Sequence, residues 1–234
     1  MNQYYNIFKK EFKAYFISPI AYIVISVFLL VTGWFFFSRF FIYNQADMRI
    51  FFNLLPLVFA FIIPAITMRL FSEELSIGSY EILLTMPVTF TDVVLGKFTA
   101  AVAFIAAMLV PTLSYPIFIS FFGELDWGPV FGGYIGALFL GATFSAVGLF
   151  SSSLTKNQII AFIIGMAICF ALTLIDQMLF FVPADFVKYL EYLGANYHFQ
   201  NISKGIIDSR DFLYFISMGF IALYGTNLVI QRKN

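Results

Sequence analysis

The stretch FFNLLPLVFAFIIPAITMRLF, Phe51 to Phe71, carries a single charge, Arg69, in 21 residues. About 20 apolar residues rising 1.5 Å each span a hydrocarbon core roughly 30 Å thick, so the stretch reads as one membrane crossing. Pro56 and Pro64 lie inside it, and each removes an amide donor. The crossing is therefore expected to be kinked or locally broken, with neighbouring helices satisfying the freed carbonyls.

Five runs of the same kind flank it, at about 20–42, 93–122, 130–154, 158–181 and 212–230. Composition agrees. Of 234 residues 61% are hydrophobic and 11% charged, with 33 phenylalanines and a mean hydropathy of +0.91, against about 25% charged in soluble domains. The chain reads as an all-α polytopic membrane protein, a single transmembrane domain over residues 1–234 with six transmembrane helices. Its first run is too long for a cleavable signal peptide and lacks a small-residue cleavage site. The 13 basic and 13 acidic residues cancel, which gives no support to a nucleic-acid partner.

Lysines and arginines near the crossings set orientation. With both termini cytoplasmic, the inner side holds Lys9, Lys10, Lys13, Arg69, Lys97, Lys156, Arg232 and Lys233, and the outer side holds Arg39, Arg49, Lys188, Lys204 and Arg210. The inner side carries the excess, so both termini are expected in the cytoplasm.

Before the first crossing, residues 2–17 place Tyr5, Phe8, Phe12, Tyr15 and Phe16 on one helical face and Asn6, Lys10 and Lys13 opposite. This is the pattern of an amphipathic interfacial helix along the inner leaflet, its lysines reaching for the headgroups of the lipid bilayer. In the fourth run Gly133, Ala137, Gly141 and Ser145 recur every four residues. Small residues at that spacing let helix backbones approach closely in lipid, and packing within the chain is favoured over a seam between two chains. The outer loop at 184–210 has one apolar face at Phe186, Leu190 and Leu193 and a second at Phe199, Ile202 and Ile206, separated by Gly194. It reads as a short helical hairpin resting on or dipping into the outer interface, either a cap over an exit path or a membrane-resting element.

Chemistry-bearing groups are sparse. Cys169 sits alone in an apolar run, which excludes a disulfide framework and a multi-cysteine metal site. His198 is the only histidine; it is expected to be solvated or interfacial, and it cannot by itself assemble an HExxH-type zinc site. Asp176, well inside the fifth run, is expected near its outer end. The sequence LGKFT, Leu95 to Thr99, lacks the glycine five residues before Gly96 and has Phe98 where a phosphate loop needs Ser or Thr. No catalytic residue, metal or cofactor is expected in this chain, and it is not read as an enzyme.

The longest cytoplasmic loop, 72–92, contains GSYEILLTMPVT, Gly78 to Thr89. Ser79 can cap a helix starting at Tyr80, and Glu81 complements the positive end of its dipole. Gly78 frees the backbone before it and Pro87 ends it. Two turns of helix are marginal alone in water, so something is expected to hold them. Thr89 and Asp92 then resemble a capping box for the next crossing. Little slack remains, and a push on the short helix would pass into both flanking crossings.

Arg69, Glu73-Glu74, Gly78-Ser79, Glu81, Leu83-Leu84-Thr85 and Pro87-Val88-Thr89 resemble the R-x-x-x-E-E-x-x-x-G-T-x-E-x-L-L-x-x-P-V-S pattern of the type 2 (exporter-type, ABC-2) ABC transporter permeases. The six crossings, the amphipathic start and the outer two-helix loop resemble that family too, so the likeness covers essentially the whole chain. Leu75 stands where the family is often basic, and Ser79 replaces the usual threonine while keeping a capping hydroxyl. The resemblance implies that 72–92 holds a coupling helix seated in a groove of a separate cytoplasmic ABC ATPase. Leu83, Leu84 or Met86 would be its apolar anchors and Glu73, Glu74 and Glu81 its polar or structural contacts.

It also implies two ATPase copies carrying ATP and Mg, a second permease chain as homodimer or heterodimer, and a place in the bacterial inner membrane. The end sequence HFQNISKGIIDSRDFLYF, His198 to Phe215, and the aromatic-rich crossings are most similar to permeases associated with bacterial gliding motility; the cargo is not implied. Two other classes compete. One is a non-transporting structural subunit of an envelope complex. The other is a channel or secondary transporter, which would normally show intramembrane charges or an internal repeat.

Overall fold

The computed structural model describes residues 3–43, 47–78, 89–178, 190–206 and 208–233. Among them every regular element is helical, and six helical stretches are long and apolar enough to cross a membrane. The chain is an all-α polytopic membrane protein. Helix α1 (Gln3–Ile17) precedes α2 (Pro19–Tyr43), the first span. The second is α3 (Arg49–Thr67) continued by α4 (Arg69–Ile77), and the third is α5 (Phe90–Leu109), a 3-10 turn (Val110–Leu113) and α6 (Ser114–Ile119). Helices α7 (Trp127–Leu154) and α8 (Gln158–Met178) follow; short α9 (Ala195–Ser203) then leads to the last span, α10 (Ser209–Arg232).

The second, third and fourth spans form the interior: 67, 56 and 67% of their apolar stretches are buried, against 28, 28 and 22% for the first, fifth and sixth. The outer spans leave Leu30, Trp34 and Phe41 of α2 and Phe220 of α10 exposed, a surface suited to hydrocarbon. Helix α7 is the hub, packed on α3, α5, α8, α9 and α10. Its glycines explain how. A methyl group on Gly133 would run into the Phe52 ring of α3, one on Gly148 into Thr67, and one on Gly141 would sit 3.0 Å from Ile105 of α5. Ala137 and Ser145 are fully buried, so the four-residue stripe packs within the chain.

The expected local break in the second span falls just beyond both prolines. The helix runs through both Pro56 and Pro64, and its interruption falls at Met68, one turn after Pro64. Met68 keeps its amide bonded to the Pro64 carbonyl (2.9 Å), while the amides in the first turn of a helix need partners beyond the helix's own ladder. Ser152 of α7 fills the role of a cap from outside: its Oγ accepts from the Phe71 and Ser72 amides (2.9 and 3.0 Å) and donates to the Met68 carbonyl (2.7 Å). In the third span the run expected to continue over 93–122 is split at Val110–Pro111 into two α-helices, as the proline and its shortened turn require.

The two ends also depart from a purely interfacial picture. Helix α1 packs along α5, with Tyr15 buried and stacked on Phe104 at 4.8 Å and with Ile7 seated over Gly96. Tyr5 of the expected apolar face is exposed. At the other end α9 is inserted among α3, α7, α8 and α10 rather than resting beside them, with Ala195, Phe199 and Ile202 fully buried. Gly132 and Gly136 make room for it: a methyl group on the first would collide with the Ile202 carbonyl, and one on the second would sit 3.3 Å from the Phe199 ring. Gly194 directly precedes α9, and a side chain there would collide with the Asp176 carboxylate. Leu193 and Ile206 are exposed, and Phe186 lies outside the described residues.

Candidate functional site

Helix α5 begins with the expected cap: the Asp92 amide donates to Thr89 Oγ1 (3.2 Å), and the Thr89 hydroxyl in turn donates to the Asp92 carboxylate (2.5 Å). Two turns further in, Lys97 lies on the buried face shared by Val93, Val94, Ala100 and Ala101. It is 1% exposed. Its Nζ donates to Glu11 Oε1 of α1 (3.1 Å), to Glu74 Oε1 of α4 (2.8 Å) and to the Leu70 carbonyl (2.8 Å). An ammonium has three N–H donors, and here each has an acceptor. Phe71 adds its ring face 5.3 Å from the charge.

Three elements distant in sequence are thus tied through one buried cation. Burying a charge is tolerated when it is paired and hydrogen-bonded, and breaking such a pair is costly because it strands the partners. Around this junction a cleft of about 310 Å³ opens between α1, α4 and α5, bordered by Lys10, Tyr15, Arg69, Glu73, Glu74 and Lys97. The Arg69 guanidinium lies over the Tyr15 ring at 5.2 Å. Burial pushes the Tyr15 phenol above its ordinary range, against the opposing pull of Arg69.

Of the residues singled out in the sequence, the structure brings Arg69, Glu73 and Glu74 together on this cleft. Their roles differ. Glu74 faces inward onto Lys97, whereas Glu73 is exposed. Leu75, the departure from the family pattern, is buried. Gly78 ends α4 in the left-handed region, φ 76°, with open space where a Cβ would be; its need for glycine is conformational. Ser79, Glu81, Leu83, Leu84, Met86 and Pro87 lie outside the described residues.

Sequence reading missed three participants. Lys97 counted only as an inner-side positive charge, yet a lysine inside an apolar run is itself a signal that a partner is needed. Glu11 and Ser152 gave no such signal, being 86 and 80 or more positions from the groups they bind. His198 requires a correction: it is buried rather than solvated, and paired with Asp211. Asp176 does lie at the end of α8 remote from Gln158, as expected. Among the described residues no group of three or more His, Cys, Asp or Glu side chains could hold a metal ion.

No family model matches the chain, and neither does any curated protein. The functional reading therefore stands on the motif and on the junction geometry.

Proposed function

We propose that the chain is the membrane-spanning permease subunit of an ATP-driven exporter of the ABC-2 type, in which residues 79–88 take the thrust of a separate cytoplasmic ATPase. The observation that carries the reading is the Lys97 tie. The 79–88 segment enters from α4 and leaves into α5, and Lys97 of α5 holds both Glu74 of α4 and Glu11 of α1. A displacement of that segment would move three helices as one unit. The capped ends at Gly78 and Thr89 leave little slack to absorb it. Under this reading both termini and the cleft face the cytoplasm of a bacterial inner membrane, two ATPase copies bind ATP and Mg, and a second permease chain completes the pore. The likeness of residues 198–215 to gliding-motility permeases supports a narrower role in that machinery.

Leu84→Asp and Glu81→Arg test the assignment. Mass spectrometry of proteins co-purified from native membranes should find an ATPase with the wild-type chain and lose it with either variant, while membrane insertion is retained. Retention of the ATPase in both variants removes the docking role from this segment. Absence of an ATPase from the mildly extracted wild type favours a structural subunit without a transport cycle.

A further inference from the structure

The other end of the bundle holds a second buried ionisable cluster, independent of the reading above. His198 of α9 is 1% exposed and Asp211 of α10 is 3% exposed. His198 Nδ1 lies 2.6 Å from Asp211 Oδ1, and Nε2 lies 3.0 Å from the Tyr192 carbonyl oxygen. The Tyr214 ring stacks on the imidazole at 4.1 Å. A carbonyl oxygen has no proton to give, so Nε2 must be the donor on that side. In a neutral ring Nδ1 would then present a lone pair to a carboxylate oxygen. The 2.6 Å separation is a hydrogen-bond distance, and it requires a second proton between the two groups.

We propose that His198 and Asp211 form a proton-binding site that holds one proton as an imidazolium–carboxylate pair, and that this bound proton latches α9 onto α10. The proton is taken from water and returned to it, forming and breaking only the Nδ1–H bond. Among the described residues Asp211 Oδ2 has no hydrogen-bond partner, so the imidazolium is the chief compensation for this buried carboxylate, aided by its place in the first turn of α10. When the proton leaves, lone pair faces carboxylate and the latch loses its bond.

Among the described residues the surrounding charges are few enough to separate. Asp176 of α8 acts electrostatically on the pair's neighbourhood and accepts bonds from the Asn196 side chain and the Tyr197 amide. Tyr192 and Tyr197 meet the imidazole edge-on, Glu191 lies near Asp176, and Arg210 bonds Tyr192. The other helices on α9 are α3 and α7. Their only charged or titratable side chains are Arg49 and Tyr134, engaged with Asp47 and Thr112.

Because His198 is the only histidine, ¹⁵N NMR of the histidine-labelled full chain in lipid nanodiscs reports this ring alone. Where α9 is most protected, both ring nitrogens should carry protons. Raising the pH until one proton is lost should increase amide exchange over 195–203, corrected for intrinsic rates, by at least about tenfold, the scale of one lost charge-assisted hydrogen bond. Asp211→Asn supplies an amide N–H to Nδ1, so a neutral ring is satisfied on both sides and α9 protection should become independent of pH. A ring with one bare nitrogen while α9 remains protected overturns the proposal. So does an Asp211→Asn chain with unchanged pH dependence, which would place the titration on Asp176 or Tyr192. If Asp211→Asn does not fold, the wild-type ring signal decides alone.

Discussion

Two buried sites of ionisable side chains sit at opposite ends of this bundle, and they are built differently. At the end carrying α1, Lys97 has three donors and three acceptors, drawn from α1, α4 and α5. At the other end His198 and Asp211 share one contact, and among the described residues one carboxylate oxygen of Asp211 and one of nearby Asp176 have no hydrogen-bond partner. A saturated ammonium has one arrangement that satisfies it, so it fixes helices to one another. An imidazole–carboxylate pair has two protonation states with different bonding, so it can hold or release. The first construction suits transmission of force and the second suits conditional closure.

The largest expected effect lies at the saturated site. Lys97→Met should cost about 3–5 kcal/mol of stability, since it leaves two carboxylates facing each other without their cation. Thermal unfolding in detergent measures it, and adding Glu11→Gln and Glu74→Gln should recover most of the loss. A Lys97→Met chain as stable as wild type would break the contrast. Next comes Gly194→Ala at the opposite end, where the added methyl meets Asp176 and Ile175. Overpacking of this kind costs about 1–3 kcal/mol, and the loosening should appear in amide exchange of α9 while α1 and α4 stay unchanged.

Ser152→Ala leaves the Phe71 and Ser72 amides and the Met68 carbonyl without their shared partner. A loss of about 1–3 kcal/mol is expected, with faster exchange at the start of α4 as its local sign. Smallest is Thr89→Ala, which removes the α5 cap and should cost about 1 kcal/mol. If it nonetheless uncouples ATPase activity from transport in a reconstituted complex, the stiffness of the connection rather than its stability is what the cap secures.

Much of this was legible in advance. The six crossings follow from apolar runs of membrane length, and the Thr89 cap from a local hydroxyl-to-amide spacing, because both depend on neighbours in the chain. The small-residue stripe of α7 also announced close packing. What it packs against was another matter: Phe52, Ile105 and Thr67 come from other helices, and no periodicity in α7 names them. A solvated or interfacial His198 was the natural expectation for a lone histidine in an outer loop. It failed because Gly132 and Gly136 leave space on α7 for α9, and the histidine buried with it pairs with Asp211. Sequence alone determined that this chain spans a membrane six times, the cap at Thr89, and which loop looks like a coupling element; length, hydropathy and capping are local quantities. Only the tertiary structure decided that Lys97 joins Glu11 to Glu74 and that His198 meets Asp211, because the low polarity of a packed interior makes each buried charge depend on partners the chain brings from far away.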